Sequence, residues 1–321
     1  MRNAFASALV RAAQADARVV LLTGDHGYAL FDEFRRACPS QYVNAGVAEQ
    51  NMVGVAAGLA KGGLRPVVYG LSAFIPVRVL EQIKLDVCYE ELPVIFMGDG
   101  AGVVYSTLGT SHQSTEDIAA LRALPHMRIL SPADAAEMTA CMALVLGAAG
   151  PTYVRMGKAD LGPVHASPPE FGWGDLCLLK RGSGKLAWIA TGSMVKTALA
   201  VSQQWDDSAV WSAPSIKPLN ANHIVAIARK HEAIIVLEEH SIYAGLGSAV
   251  AEIVAEKAPA WVCRIGIEDR FSRYCGSYRY LMAEHHLNVE AVMQRVQNFI
   301  RQLPPTTATV SAPARRKPAA A

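Results

Sequence analysis

One carboxylate stands where a carboxylate is expected to do chemistry. Glu49 falls in Val47-Ala48-Glu49-Gln50-Asn51-Met52-Val53-Gly54, and the segment runs on through Val55-Ala56-Ala57-Gly58-Leu59-Ala60 to Gly62-Gly63. That pattern predicts a helix apolar on nearly every side, and therefore a buried one. A carboxylate at its mouth must find a partner or take up a proton. Negative charge is also welcome at a helix N-terminus, so the local pattern admits a capping role as well. His112 follows Gly109-Thr110-Ser111 in a stretch that reads as a loop. An imidazole there can donate or accept a proton near neutral pH, or merely face solvent. Glu238-Glu239-His240 comes directly after an apolar strand pattern and has the residue types of a catalytic cluster. Gly245-Leu246-Gly247-Ser248 could hold an anion at a helix start, but without the glycine spacing of a nucleotide site it reads as a tight turn and helix cap.

Asn44-Ala45-Gly46-Val47-Ala48-Glu49-Gln50-Asn51-Met52 resembles the thiamine-diphosphate glutamate motif of the transketolase family. Further motifs extend the resemblance in order: Leu22-Thr23-Gly24-Asp25, Phe74 to Asp86, Gly109 to Ala119, Leu124-Pro125-His126-Met127, Ser131-Pro132-Ala133-Asp134 and Gly150 to Arg155. Ala190-Thr191-Gly192-Ser193, Ile216-Lys217-Pro218-Leu219, Glu238-Glu239-His240 and Gly245 to Ser248 are similar to the family's C-terminal region. The resemblance implies that Glu49 hydrogen-bonds the aminopyrimidine of thiamine diphosphate. It implies that Phe74 stacks on that ring, that Gln82 supports the same pocket, and that His112 reaches the reacting oxygen of the substrate. Arg2 and Lys158 fall where the family places phosphate-contacting basic groups. In this family Glu238-Glu239-His240 and its surroundings mainly build the dimer and buttress the first domain.

Part of the family pattern is missing. The domain that binds the diphosphate and its metal has Gly-Asp-Gly followed by downstream asparagine. Here Gly98-Asp99-Gly100 has no asparagine after it until Asn220, and it follows the strand-like Pro93-Val94-Ile95-Phe96-Met97. It reads as a loop coincidence, and no metal site is expected in this chain. The resemblance therefore implies the C-terminal subunit of a split transketolase, active only with a separate N-terminal subunit that carries most of the binding for Mg2+ (or Ca2+). A heterotetramer of two such chains and two partners follows, with self-association through the same fold. Substrate residues also depart from the family. Gly100 replaces a phosphate-holding histidine, and Leu108 or Thr107 replaces an aspartate that reads a substrate hydroxyl. Leu and Thr cannot accept the same charged hydrogen bond. The expected activity is ketol transfer by a transferase, on a non-standard ketose and aldose or ketoacid pair. The alternatives are the beta subunit of a 2-oxo-acid dehydrogenase or decarboxylating carboligase, and a scaffold without turnover.

The elements that must position these residues alternate. Phe5, Leu9, Val10 and Ala13 mark one face of a first helix. Val19-Val20-Leu21-Leu22, Pro66 to Tyr69, the stretch before Gly98, Met127 to Leu130 and Thr152 to Met156 read as strands buried on both faces. A helix is predicted over Val77 to Tyr89. Ser114 is placed to cap the helix of Ile118 and Leu121, and Ser131-Pro132-Ala133-Asp134 to open another with the proline in its first turn. Residues 161–184 gather Pro163, Pro168, Pro169, Gly172, Gly174, Gly182 and Gly184 and read as a linker. The alternation resumes at Leu186-Ala187-Trp188-Ile189-Ala190 and ends in a helix from Val289 to Gln302. The expected fold is α/β: two doubly wound domains with mostly parallel sheets, a pyrimidine-binding domain over 1–160 and a transketolase C-terminal domain over 185–303. Residues 304–321, rich in Pro, Ala, Thr and Ser, are expected to be a disordered tail.

Composition limits the alternatives. At 321 residues with 51% hydrophobic content the chain suits two domains of ordinary size. A net charge of +2 argues against a nucleic-acid partner. No apolar run is long enough to span a bilayer, and six scattered cysteines without Cys-x-x-Cys spacing suit reduced thiols in the cytoplasm.

Overall fold

The computed structural model describes residues 1–157 and 161–304. Lys158 and residues 305–321 of the expected tail lie outside the described residues. The first sheet is built from β1 (Val19–Thr23), β2 (Tyr42–Asn44), β3 (Arg65–Leu71), β4 (Ile95–Asp99), β5 (Arg128–Leu130) and β6 (Thr152–Met156). The second is built from β7 (Cys177–Lys180), β8 (Leu186–Ala190), β9 (Ala209–Ser212), β11 (Ala233–Ser241) and β12 (Trp261–Ile267). A short strand, β10 (Ser215–Lys217), leaves the second unit and adds antiparallel to β5. The seven-stranded order is β10-β5-β6-β4-β3-β1-β2 and the five-stranded order is β12-β11-β8-β9-β7. Apart from β10 and the antiparallel edge strand β7, every pairing is parallel. Strands β1, β4, β6 and β8 are buried along their whole length, as a sheet covered on both faces demands.

The chain steps from β1 outward to β2, then crosses back to place β3 on the other side of β1. Connections leaving a sheet in opposite directions open a crevice at the carboxyl ends of the strands, where ligands of such folds bind. His26 follows β1, Glu49 follows β2 and Phe74 follows β3, so all three emerge at that crevice.

Several local expectations are corrected. The Glu49 helix spans Glu49–Lys61 and buries Met52, Val53, Ala56, Ala57 and Ala60, but Gln50, Asn51, Gly54, Val55 and Gly58 are exposed. Its polar and small residues recur on one side, so it is buried on one face only. The single helix predicted over 77–89 is a tight turn at Val77–Val79, one α turn at Leu80–Gln82 and a wide π turn at Ile83–Cys88. The wide turn brings Ile83, Val87 and Cys88 to the core. Ser114 does not cap the following helix, which starts at Asp117; its backbone pairs instead with Gly102. Pro132 precedes its helix rather than sitting in the first turn: Asp134 is the N-cap of Ala135–Leu146 and accepts from the Glu137 backbone N–H at 2.9 Å. Gly98 and Asp99 belong to β4 and not to a loop. Within the stretch read as a linker, Cys177–Lys180 forms β7. The helix over Val289–Gln302 forms as expected.

Candidate functional site

Glu49 is buried at the N-terminus of its helix, and its partner is Arg78, whose Nη1 lies 3.1 Å from Oε1. The Arg78 guanidinium sits 3.9 Å from the centre of the Phe74 ring and covers one of its faces. The His112 ring meets Phe74 edge-on at 5.4 Å, and the His26 ring lies 5.9 Å away. Glu49, Phe74 and His112, distant in sequence, are thus joined in one cluster through Arg78 and the Phe74 ring. His112 is held by its neighbour, with Ser111 Oγ 3.0 Å from Nδ1. Burial pushes the His26 imidazole below its ordinary pKa, against the pull of Glu49 and Asp25, so it is neutral at physiological pH.

Arg78 and His26 were not singled out from the sequence. The signal for His26 was its place just past the carboxyl end of β1. Arg78 had no such signal, because its role depends on a turn geometry that the pattern did not show. Gln82 lies one turn beyond Arg78, and its Oε1 is buried without a hydrogen-bond partner among the described residues. His26 Nδ1 is likewise buried and unpartnered. An aromatic face, a buried carboxylate and the orphaned His26 nitrogen fit a ring that carries nitrogen acceptors and an amino group, while no contact ties Gln82 to this cluster among the described residues.

Arg2 joins this cluster at its edge, with Nε 3.4 Å from Asp99 Oδ2 at the end of β4 and the Tyr105 ring between Asp99 and His112, 6.5 Å from the imidazole. The same oxygen accepts from the Tyr69 hydroxyl at 2.7 Å and the Tyr105 hydroxyl at 3.3 Å. Burial pushes both phenols above their ordinary pKa, with the Asp99 charge adding to it. Gly100 has φ +83°, and a Cβ there would collide with the Tyr105 ring. No side chain, a histidine least of all, fits at position 100 while Tyr105 occupies that space. Leu108 is exposed nearby on the loop before His112.

The second unit supplies a polar knot that closes over the first. Arg155 on β6 is fully buried; its Nε donates to Asp117 at 2.8 Å, and Nη2 donates to the Ser114 and Glu239 carbonyls at 3.0 and 2.8 Å. Glu239 accepts from the Val103 backbone N–H and the Tyr278 hydroxyl, each at 2.7 Å, and from Ser193. Glu238 turns the other way and accepts from the Leu246 and Gly247 N–H groups at 2.7 and 2.9 Å. The anion at this helix N-terminus is therefore the chain's own Glu238, which explains the Gly245 to Ser248 motif as a cap. His240 Nε2 accepts from the Ala119 N–H at 3.3 Å. Burial raises Glu238 to about 7 and lowers His240 to about 4. The cluster that looked catalytic is internal, with its groups directed at backbone and side chains of both units.

Two family models match the chain: the transketolase pyrimidine binding domain over residues 1–163 and the transketolase C-terminal domain over residues 177–292. Among curated relatives, the 6-deoxy-6-sulfo-D-fructose transketolase subunit SqwH of Clostridium sp. (strain MSTE9) is 32% identical over 92% of both chains. An apulose-4-phosphate transketolase subunit from Phocaeicola vulgatus is 34% identical over 94% of this chain and 97% of its own. A 1-deoxy-D-xylulose-5-phosphate synthase of Oleidesulfovibrio alaskensis is 37% identical over 83% of this chain but only 43% of its own length. Among solved structures, a split-gene transketolase described as an inactive beta4 tetramer superposes with TM-score 0.84 at 33% identity, covering 92% of this chain and 96% of that one. A transketolase from Pichia stipitis shares the fold at TM-score 0.74 and 16% identity, over 94% of this chain and 45% of its own. The chain belongs to the transketolase family, as a subunit of the split form that carries the pyrimidine-binding and C-terminal domains.

Proposed function

We propose that this chain catalyses ketol transfer with thiamine diphosphate when joined to a separate N-terminal subunit. The observation that carries the reading is the Glu49–Arg78–Phe74 cluster: a buried carboxylate at a helix mouth beside an aromatic face, at the switch point of a parallel sheet. Held by these residues, thiamine diphosphate would supply the nucleophilic carbon that ketol transfer needs. Glu49 holds the proton that its carboxyl shares with a pyrimidine nitrogen. Phe74 offers the stacking face, and His26 brings its unpartnered Nδ1 to the ring's polar edge. Arg78 must swing aside for the ring to stack. Arg78 is 46% exposed and can turn to solvent, while the buried Glu49 carboxylate exchanges the guanidinium for the ring as its partner. His112, fixed by Ser111, directs its other nitrogen at a substrate oxygen and moves the proton that the transfer requires.

Mg2+ (or Ca2+) and the diphosphate belong mainly to the partner, since this chain brings only the pyrimidine side. The exposed Asn51, Gly54, Val55 and Gly58 face of the Glu49 helix supports a close approach by another chain. We read the assembly as two such chains with two partners in the cytoplasm. Tyr105 packed over Gly100, with Leu108 at the expected acid position, supports a non-standard ketose and aldose pair. The relatives named for sulfofructose and apulose phosphate are consistent with that. Of the two basic groups expected to meet a substrate anion, Arg2 is the one among the described residues, and it is shared with Asp99.

The test is reconstitution. The chain is mixed with its N-terminal subunit, thiamine diphosphate and Mg2+, and ketol transfer from hydroxypyruvate to a panel of aldehydes is followed. Transfer that needs both chains is expected. Carbon dioxide release from a 2-oxo acid with no ketol product would replace this reading by the decarboxylating one. A stable complex without turnover on any donor would indicate a scaffold.

A further inference from the structure

Beside the start of the Ala135–Leu146 helix, three metal-ligating side chains that ketol transfer does not use come together. Glu137 is fully buried; its Oε2 accepts from the Ala133 N–H at 2.7 Å, while Oε1 has no hydrogen-bond partner among the described residues. His165 comes from the segment between the two sheets, and its Nε2 lies 3.6 Å from that same Oε1. Its Nδ1 lies 3.5 Å from Asp134 Oδ2. Neither imidazole nitrogen has a hydrogen-bond partner among the described residues, and both separations are long for such a bond. Cys177, buried and reduced, opens β7. One ligand atom from each of Glu137, His165 and Cys177 lies within 4.8 Å of the others.

We propose that Glu137, His165 and Cys177 form a zinc site. A thiolate, an imidazole and a carboxylate are the donors that zinc takes, and the thiolate disfavours Mg2+ and Ca2+. Charge favours a dication. Two carboxylates face one imidazole here, and Zn2+ with one carboxylate and one thiolate is neutral. The second shell is already in place. With Nε2 toward the metal, Nδ1–H points to Asp134, the carboxylate–histidine–metal arrangement that fixes a ligand ring. Asp134 is itself anchored, because its Oδ2 accepts from the Val164 and His165 N–H groups at 2.8 and 2.9 Å. Zinc bond lengths of about 2.0–2.3 Å put tetrahedral donors roughly 3.3–3.8 Å apart, so the three groups, now within 4.8 Å of one another, close by about 1.5 Å at most. The fourth position has two candidates. Cys141 lies one turn along the helix from Glu137, is buried, and feels the charges of Glu137 and Cys177. Alternatively, water enters from the cavity of about 520 Å³ that Asp134 and His165 line, which also gives the ion its path. The bound ion ties together a helix of the first sheet, the inter-sheet segment and the edge strand of the second. It stands apart from the Glu49 cluster and does not depend on the proposed activity.

The experiment uses the full chain, expressed without a metal-binding tag in zinc-supplemented medium and passed through size exclusion. Elemental analysis is expected to find about one zinc per chain, with less than a tenth of that in Cys177→Ser and His165→Gln. Asp134→Asn keeps the helix cap but is expected to weaken zinc by about 10–100-fold. Replacing zinc by Co2+ in the unmutated chain is expected to give a thiolate-to-cobalt charge-transfer band, a readout that does not depend on any variant folding. A chain that carries no zinc above the level of the variants and gives no such band would overturn the site. His165 would then be an imidazolium held between two carboxylates, the charged form that Asp134 already favours.

Discussion

The Glu49 cluster and the Arg155 knot each gather carboxylates, arginine and histidine, yet they are finished to different degrees. In the knot every principal group of Arg155, Asp117 and Glu239 meets protein, and all three side chains are buried. In the Glu49 cluster the carboxylate is buried but its arginine is half-exposed, that arginine lies over a face of the Phe74 ring, and His26 Nδ1 has no hydrogen-bond partner among the described residues. A satisfied buried network fixes a structure. One left incomplete at the mouth of a crevice is a place for a ligand to complete it. Residue types alone do not separate the two, since Glu238-Glu239-His240 has the more catalytic look and the structural task.

Four variants break or sharpen that contrast. Glu49→Gln should lower ketol transfer by the reconstituted complex by about 10²–10⁴-fold, the usual range for a lost proton-transfer group. The chain's melting should barely change; equal turnover would remove Glu49 from the chemistry. Arg155→Met should do the reverse. It strands Asp117 and the Ser114 and Glu239 carbonyls in the interior, and stability measured by urea should drop by about 3–5 kcal/mol. A drop under about 1 kcal/mol would mean the knot is not what holds the units together.

The pH dependence sharpens the picture inside the knot. His240 titrates at about 4 when folded and near its ordinary value of 6.5 when unfolded, so the unfolded chain binds the extra proton between those values. Its contribution is present above about 6.5 and is lost as pH falls toward 4, by about 3 kcal/mol in full. Glu238, raised to about 7, acts oppositely: its folded form holds a proton longer, so its contribution weakens as pH rises from 4.5 to 7. The difference in urea stability between the unmutated chain and His240→Gln should therefore grow as pH rises from about 4 to 6.5. A difference that stays constant would mean that His240 takes up its proton at the same pH in the folded and the unfolded chain. The smallest effect belongs to Arg78→Gln, which should lower the stability of the chain by about 1–2 kcal/mol, because the guanidinium it removes is half-exposed while the Glu49 carboxylate it leaves is buried. A larger loss, read from the urea midpoint, would make the Glu49 cluster structural after all.

Much of the fold was legible in the chain. Apolar runs such as Val19 to Leu22 and Leu186 to Ala190 can only be strands covered on both faces, and the segments between them have helix-forming patterns. Of the candidate site, the sequence pointed to Glu49, Phe74 and His112 through their motifs, and the structure brings these three into one cluster. The site was not legible at Arg78. There the regular helix expected over 77–89 gives way to three kinds of turn, and that irregularity aims the guanidinium at Glu49 and Phe74. Ser114 and Pro132 were misplaced for a similar reason. Tertiary partners, Arg155 for Asp117 and the backbone of Val164 and His165 for Asp134, shifted where each helix begins.

The sequence by itself determined the alternation of strands and helices, the burial of the sheets and the place of Glu49 at the start of a helix, because periodicity and short motifs are local. Tertiary structure alone decided which acids are satisfied and which are open. It routed β10 across to β5, set Tyr105 over Gly100 and brought Glu137, His165 and Cys177 to one point. Each of these depends on distances between residues far apart in the chain, and side-chain spacing along a sequence carries no record of them.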